Sequence, residues 1–269
     1  MRNIIELARF TASEVLLSRV YIILLVTSLL VPILSTIFAS LFMVDIGKVY
    51  LDALSGCAQL IASCFILFVC APLMARDLEQ NICHLLLTPP VSRQNYLLGR
   101  FAGLLVCFAL LLLAVGICGG LGAQLYIQEL KLAYQGQIVF GTVFIVIYFT
   151  FFQYIAFLGA LYFFFSWATG AAEIMVFLAS LMLMAWVFPP ILHAMVNTEV
   201  ATHVPSFIQG GLNWLYHLLP HLNGSNIYSY LAHDGGVPIM HAIWYTTEHL
   251  AYTAILLVLG IILFLRRDL

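Results

Sequence analysis

Long apolar runs separated by short polar joints dominate the chain, and their lengths predict an all-α integral membrane protein. About 20 apolar residues cross a hydrocarbon core about 30 Å thick. Stretches of that length fall at approximately 20–43, 51–75, 99–128, 138–166, 172–196 and 247–265. The first lacks a small-residue cleavage site after a short core, so it reads as a retained span and not as a removed signal. Six spans in one transmembrane domain over 1–269 are expected, with an outer segment at about 197–246.

Two shorter stretches carry helical periodicity. In MRNIIELARFTASEVLLSR, the polar residues Arg2, Glu6, Arg9 and Ser13 lie opposite Ile5, Ala8, Ala12, Val15 and Leu16. That pattern predicts an amphipathic N-terminal helix, an interfacial elbow leading into the first span. In RDLEQNICHLLL, residues 76–87, Leu78, Ile82, Leu85 and Leu86 share one face, while Arg76, Asp77, Glu79, Gln80 and His84 cover the other. A helix of that size is about 18 Å long, too short to span and suited to lying along the interface. Thr88 precedes a proline and ends it, Pro89 and Pro90 stiffen the corner, and Ser92 is placed to cap the helix beginning at Arg93. The alternative is an ordinary loop with a serviceable helix start. Further on, Phe188-Pro189-Pro190 predicts a break in the fifth span. Beyond it, Trp214, Tyr216 and Leu218 point to short re-entrant or interfacial helices at the aromatic belt.

Composition agrees with this pattern and adds an orientation. Of 269 residues, 64% are hydrophobic and 8% charged, with a mean hydropathy of +1.07. A soluble domain carries roughly 25% charged residues. The formal charge of -2 offers nothing to a nucleic acid or to an anionic membrane surface. Arg2, Arg9, Arg19, Arg76, Arg93, Arg100, Arg266 and Arg267 fall on one side of the six-span layout, against Lys48 and Lys131 on the other. The positive-inside rule then puts both termini in the cytoplasm, in a multi-pass cell-membrane protein of the bacterial inner-membrane kind.

The candidate chemistry is sparse. Cys57, Cys64, Cys70, Cys107 and Cys118 lie within spans and Cys83 in a loop, with no C-x-x-C pair, so they read as small apolar packing residues. The span interiors read as free of Asp, Glu, Lys and Arg, which argues against an ion relay. Gln59 and Gln153 are then the candidate pathway residues, although Gln153 reads more readily as a hydrogen-bond partner for a neighbouring helix than as a substrate contact. Seven of the eight histidines fall between 193 and 249. His217 and His221 have one-face helical spacing, but Pro220 intervenes, no compact ligand set emerges, and no metal site is assigned. The only Gly-Lys pair, Gly47-Lys48, is followed by Val49. The chain therefore has no phosphate-binding loop of its own. An intramembrane enzyme would need His and Glu converging at membrane depth. A haem- or metal-linked subunit for periplasmic metalloenzyme maturation would need histidines on facing spans, and only His193 and His249 come near.

The segment between spans two and three resembles that of ABC type 2 exporter permeases. It reads Asp77-Leu78-Glu79, then Leu85-Leu86-Leu87-Thr88, then Pro90-Val91-Ser92-Arg93, then Leu98-Gly99-Arg100, and the terminal FLRRDL is also similar to that family. The resemblance implies a non-enzymatic permease subunit that pairs with a second copy and with two copies of a separate ATPase, which holds the ATP and Mg. It implies that residues 76–93 couple the two, through Arg76, Asp77, Glu79, Gln80, His84, Pro89, Pro90, Ser92 and Arg93. Asp77 and Glu79 would face the ATPase. The cargo is unidentified, with a lipid-like or amphipathic molecule compatible with neutral, aromatic-rich spans.

Overall fold

The computed structural model describes residues 2–41, 46–79, 92–130, 140–197, 207, 210–211 and 237–266. All regular structure among them is helical: α1 (Arg2–Leu16), α2 (Arg19–Ser28), α3 (Val31–Ser40), α4 (Ile46–Phe65), a π-helical turn (Ile66–Cys70), α5 (Ala71–Glu79), α6 (Arg93–Leu130), α7 (Phe140–Trp167), α8 (Ala171–Asn197) and α9 (Ile239–Arg266). Six stretches are long and apolar enough to cross a membrane: 19–40, 46–79, 93–125, 140–167, 171–188 and 239–266. This is a multi-pass membrane protein. The expected re-entrant helices, and His217, His221 and Cys83, lie outside the described residues.

Prolines shape the first two spans. Span one is two helices, with Leu29 donating to the Val26 carbonyl at 3.1 Å and Leu30 to Thr27 at 3.0 Å. The tightening precedes Pro32, whose missing N–H and bulky ring disturb the turn before it. In span two the ring of Pro72 would meet the carbonyl four residues earlier. The backbone widens there, and Ala71 bonds instead to the Ile66 carbonyl five residues back.

Four expectations change. Arg76, Asp77 and Glu79 continue the helical stretch of span two and do not begin a separate interfacial one; Pro72 widens one turn without ending the helix. Span three begins at Arg93, so Arg100 sits inside a span and not at its edge. The fifth helix runs through Pro189-Pro190 to Asn197, since long helices in apolar surroundings tolerate prolines that would end them in water. The last helix begins at Ile239, well before 247. On α1, Thr11 and Val15 are buried and Ile5 and Leu16 exposed, so the packed face is rotated from the amphipathic pattern.

Span four is the centre of the bundle. Its apolar stretch is 72% buried, against 22% for spans five and six. It packs along span six, where Gly159 and Gly260 let the backbones approach: a Cβ would lie 3.2 Å from the Thr253 carbonyl oxygen at the first and 3.1 Å from that of Tyr162 at the second.

α1 packs on the start of span three. A Cβ on Gly99 would sit 2.9 Å from Leu7 Cβ, and one on Gly103 only 2.7 Å from the Ala8 carbonyl oxygen. This glycine pair, four residues apart on one helix face, admits α1 at backbone distance. Cys107 continues the face, its Sγ 3.7 Å from the Ala12 carbonyl oxygen. One turn on from α1, Tyr21 donates to the Cys107 carbonyl at 3.0 Å.

Candidate functional site

Where span two ends and span three begins, the chain encloses a group of charges. Arg100 lies seven residues into its helix, about 10 Å along the axis, and is fully buried, as is Asp77. The Arg100 Nη2 and Asp77 Oδ2 are 2.7 Å apart. Nη1 donates to Glu14 Oε2 at 2.8 Å and to Thr11 Oγ1 at 3.3 Å. Tyr96 donates its phenol proton to Asp77 Oδ2 at 2.6 Å, and Arg76 pairs with Glu14 from the more exposed side. Phe10 and Tyr96 place their rings 5.6 and 6.0 Å from the Arg100 guanidinium carbon, within cation–π range.

The group is neutral as a whole, with Glu14 and Asp77 set against Arg76 and Arg100. Neutrality and close pairing of the charges permit the burial, because an isolated charge there would cost several kcal/mol, and only the Arg100 Nε is left without a partner within the group. The network also gathers most of the bundle at this end. It joins α1, the end of span two and the start of span three. Tyr96 stacks on Phe264 of span six at 6.4 Å between ring centroids, and Phe264 meets Phe165 of span four at 5.6 Å.

The residues expected to couple are thus divided. Asp77 is turned inward, and the expectation that it faces a partner is corrected: its carboxylate is occupied by Arg100 and Tyr96. Arg76 remains half exposed against Glu14. Glu79 is exposed at the end of span two, and Arg93 is half-buried in the first turn of span three. Ser92 accepts the Asn95 N–H at 3.3 Å, as a cap does. Gln80, His84, Pro89 and Pro90 lie outside the described residues. Asp77 and Arg100 therefore lock together the two flanks of the 80–91 segment.

Arg100 was quoted in the sequence as part of a motif, yet its role as the hub was missed, with Glu14, Thr11 and Tyr96. A signal existed: an arginine two turns inside an apolar helix requires an acidic partner. Its identity depends on contacts between residues as distant as 14 and 100, which no local spacing encodes.

A second polar group lies deeper in the membrane. Ser63 of span two and Tyr154 of span four bring their hydroxyls to 3.0 Å, and the Trp186 indole N–H of span five donates to the Tyr154 oxygen at 3.4 Å. Gln59 lies one turn from Ser63 and is half-buried, while Gln153 is buried within span four. Ser63 also donates to the Gln59 carbonyl at 2.8 Å; the two sites are on one face of span two.

Neither a known protein-family model nor a curated protein sequence matches the chain. Among the described residues no group of three His, Cys, Asp or Glu could hold a metal ion. His249 is buried and bonds through Nδ1 to the Tyr245 carbonyl at 2.8 Å, the i−4 position of its own helix.

Proposed function

We infer that the chain is the membrane-spanning subunit of an ATP-driven exporter, moved by a separate ATPase that docks near the 80–91 segment. The observation that carries this reading is the pairing of Asp77 with Arg100 and Tyr96. It ties both ends of that segment, and α1, into one body, and such a body transmits a push to spans two and three together. A floppy connection would absorb it. The end that holds the network also carries most of the arginines, and the positive-inside rule assigns it to the cytoplasm, where ATP is. Conformational change is then a shift between two arrangements of the spans, biased by the nucleotide state of the ATPase.

The permease works as a pair with a second copy of itself, and the extensive uncovered surfaces of spans one, five and six are compatible with one. The handles for the ATPase are the exposed Glu79 and the 80–91 segment, with Arg93 at its far flank. Asp77 acts within the chain.

Purification of the tagged chain from its native membrane, with identification of any ATP-binding cassette ATPase that accompanies it, tests the reading. The complex in nanodiscs then reports ATP hydrolysis. The expected result is a co-purifying ATPase whose stimulation is lost in Glu79→Lys, with helicity unchanged. Absence of an ATPase, or full stimulation in that variant, contradicts the assignment.

A further inference from the structure

Spans four and six meet backbone to backbone at Gly159 and Gly260. Towards the end away from the charge network, a pocket of about 600 Å³ opens between them. Its walls include Phe144, Tyr148 and Phe149 from span four and Ile243, Thr246 and Thr247 from span six. That volume suits a small molecule or one part of a larger one.

The depth of the pocket follows from the helix rise. Tyr148 is 19 residues from Trp167 (167 − 148) and Thr247 is 19 from Arg266 (266 − 247), each about 28 Å along its helix. The hydrocarbon core is about 30 Å thick, so the hydroxyls stand at its far edge, where lipid heads begin. Trp244 lies about one turn further out and is 75% exposed, as in the aromatic belt of such an edge.

The hydroxyl protons of the pocket are engaged within the chain. Thr246 donates to the Ala242 carbonyl and Thr247 to that of Ile243, both at 2.7 Å. The Tyr148 and Thr246 oxygens are 3.2 Å apart; since the Thr246 proton is taken, Tyr148 donates. Each oxygen still has lone-pair capacity. Tyr148 and Thr247 are exposed, Thr246 is half-buried, and all three line the pocket. Its side chains therefore offer a ligand acceptors and no donor. Phe144 and Tyr148 add rings, whose faces attract cations. A positive head with several N–H groups matches both features, whereas a phosphate, which needs donors, matches neither.

We propose that this pocket binds the primary ammonium of an aminophospholipid such as phosphatidylethanolamine, with its N–H groups directed at Tyr148, Thr246 and Thr247. The phosphate stays in the headgroup layer, and the acyl chains run down the exposed flank of span six, past Leu250 and Val258. Selection is by N–H groups and not by net charge: the phosphatidylcholine nitrogen carries methyl groups where an ammonium has three donors. The site goes beyond the exporter reading and requires no ATPase.

The test uses the full chain in nanodiscs of equal parts phosphatidylethanolamine, phosphatidylcholine and phosphatidylglycerol, all with the same acyl chains. Native mass spectrometry of the chain released from the disc counts the lipids that stay bound. The expected result is one retained phosphatidylethanolamine, at least about fivefold over phosphatidylcholine, the ratio that about one hydrogen bond supplies. In the double variant Tyr148→Phe, Thr247→Val that preference should fall to near parity. If the double variant does not fold, Tyr148→Phe alone, which keeps the ring, gives the same readout at smaller amplitude. Equal retention of phosphatidylethanolamine and phosphatidylcholine, a preference for phosphatidylglycerol, no retained lipid, or an undiminished preference in the folded variant overturns the proposal. No ATPase enters the measurement, so failure here leaves the exporter reading standing, and absence of a partner ATPase would leave this binding intact.

Discussion

The chain places polar groups inside its helical bundle in two ways. At one end, the buried Arg100 and Asp77 are joined by the part-exposed Glu14 and Arg76 in a group that is neutral as a whole. About 20 Å along span two, a serine, a tyrosine and a tryptophan meet without charge at a surface that stays partly open. The first arrangement has its partners built in and is suited to holding helices in one relation. The second is neutral and centred on the buried Tyr154 hydroxyl, with Ser63 and Trp186 only part-covered, and holds three helices together without charge. Charge can be buried cheaply only when it is satisfied completely and permanently, whereas neutral hydrogen-bonding groups can exchange a protein partner for water or a ligand at modest cost.

Substitutions separate the two arrangements, and the largest effect belongs to Arg100. Arg100→Ala strands the fully buried Asp77 carboxylate and should destabilise the chain by about 3–5 kcal/mol, read as a collapse in thermal stability or in folded yield. Replacing both partners by apolar residues, Asp77→Leu with Arg100→Met, should cost markedly less than Arg100→Ala alone, since no charge is left unpaired. Gly103→Leu comes next. A side chain there meets the Ala8 backbone oxygen, so α1 must move away at a cost of about 1–3 kcal/mol, detected as faster proteolysis within residues 2–16. Tyr154→Phe removes the hydroxyl that donates to Ser63 and accepts from Trp186 and should cost about 1 kcal/mol. Ser63→Ala should cost less, because Tyr154 keeps its contact with Trp186. Glu79→Lys should leave thermal stability within about 0.5 kcal/mol of the parent, its effect confined to any ATPase stimulation.

The same contrast explains what could be read from residue order. Six spans were legible because crossing a membrane needs long apolar runs, and those runs survive in the structure with shifted ends. The cap at Ser92 was also legible, since it depends on residues three apart. The end of span two was misread: alternation of Leu78 and Ile82 with charged neighbours looks the same in an interfacial helix and in the last turn of a span. Pro189-Pro190 misled for a related reason, as helix-breaking strengths measured in water do not carry over to a long helix in apolar surroundings. Gln59 was picked out by its polarity at membrane depth. Tyr154 and Trp186, which meet Ser63 one turn away, were hidden among the many aromatic residues of the chain. The charge network was least legible, because Glu14, Asp77 and Arg100 meet only when three separate helices pack.

That network is the central claim, and a double-mutant cycle on Asp77 and Arg100 tests it most directly. Thermal unfolding would be followed for the parent chain, Asp77→Asn, Arg100→Gln and the double variant, all in the same nanodiscs. If the two side chains act as one buried pair, the double variant loses little more than the worse single variant, giving a coupling of at least about 1 kcal/mol. Losses that simply add would show that the two residues act independently, and the single body uniting α1 with spans two and three would have to be abandoned.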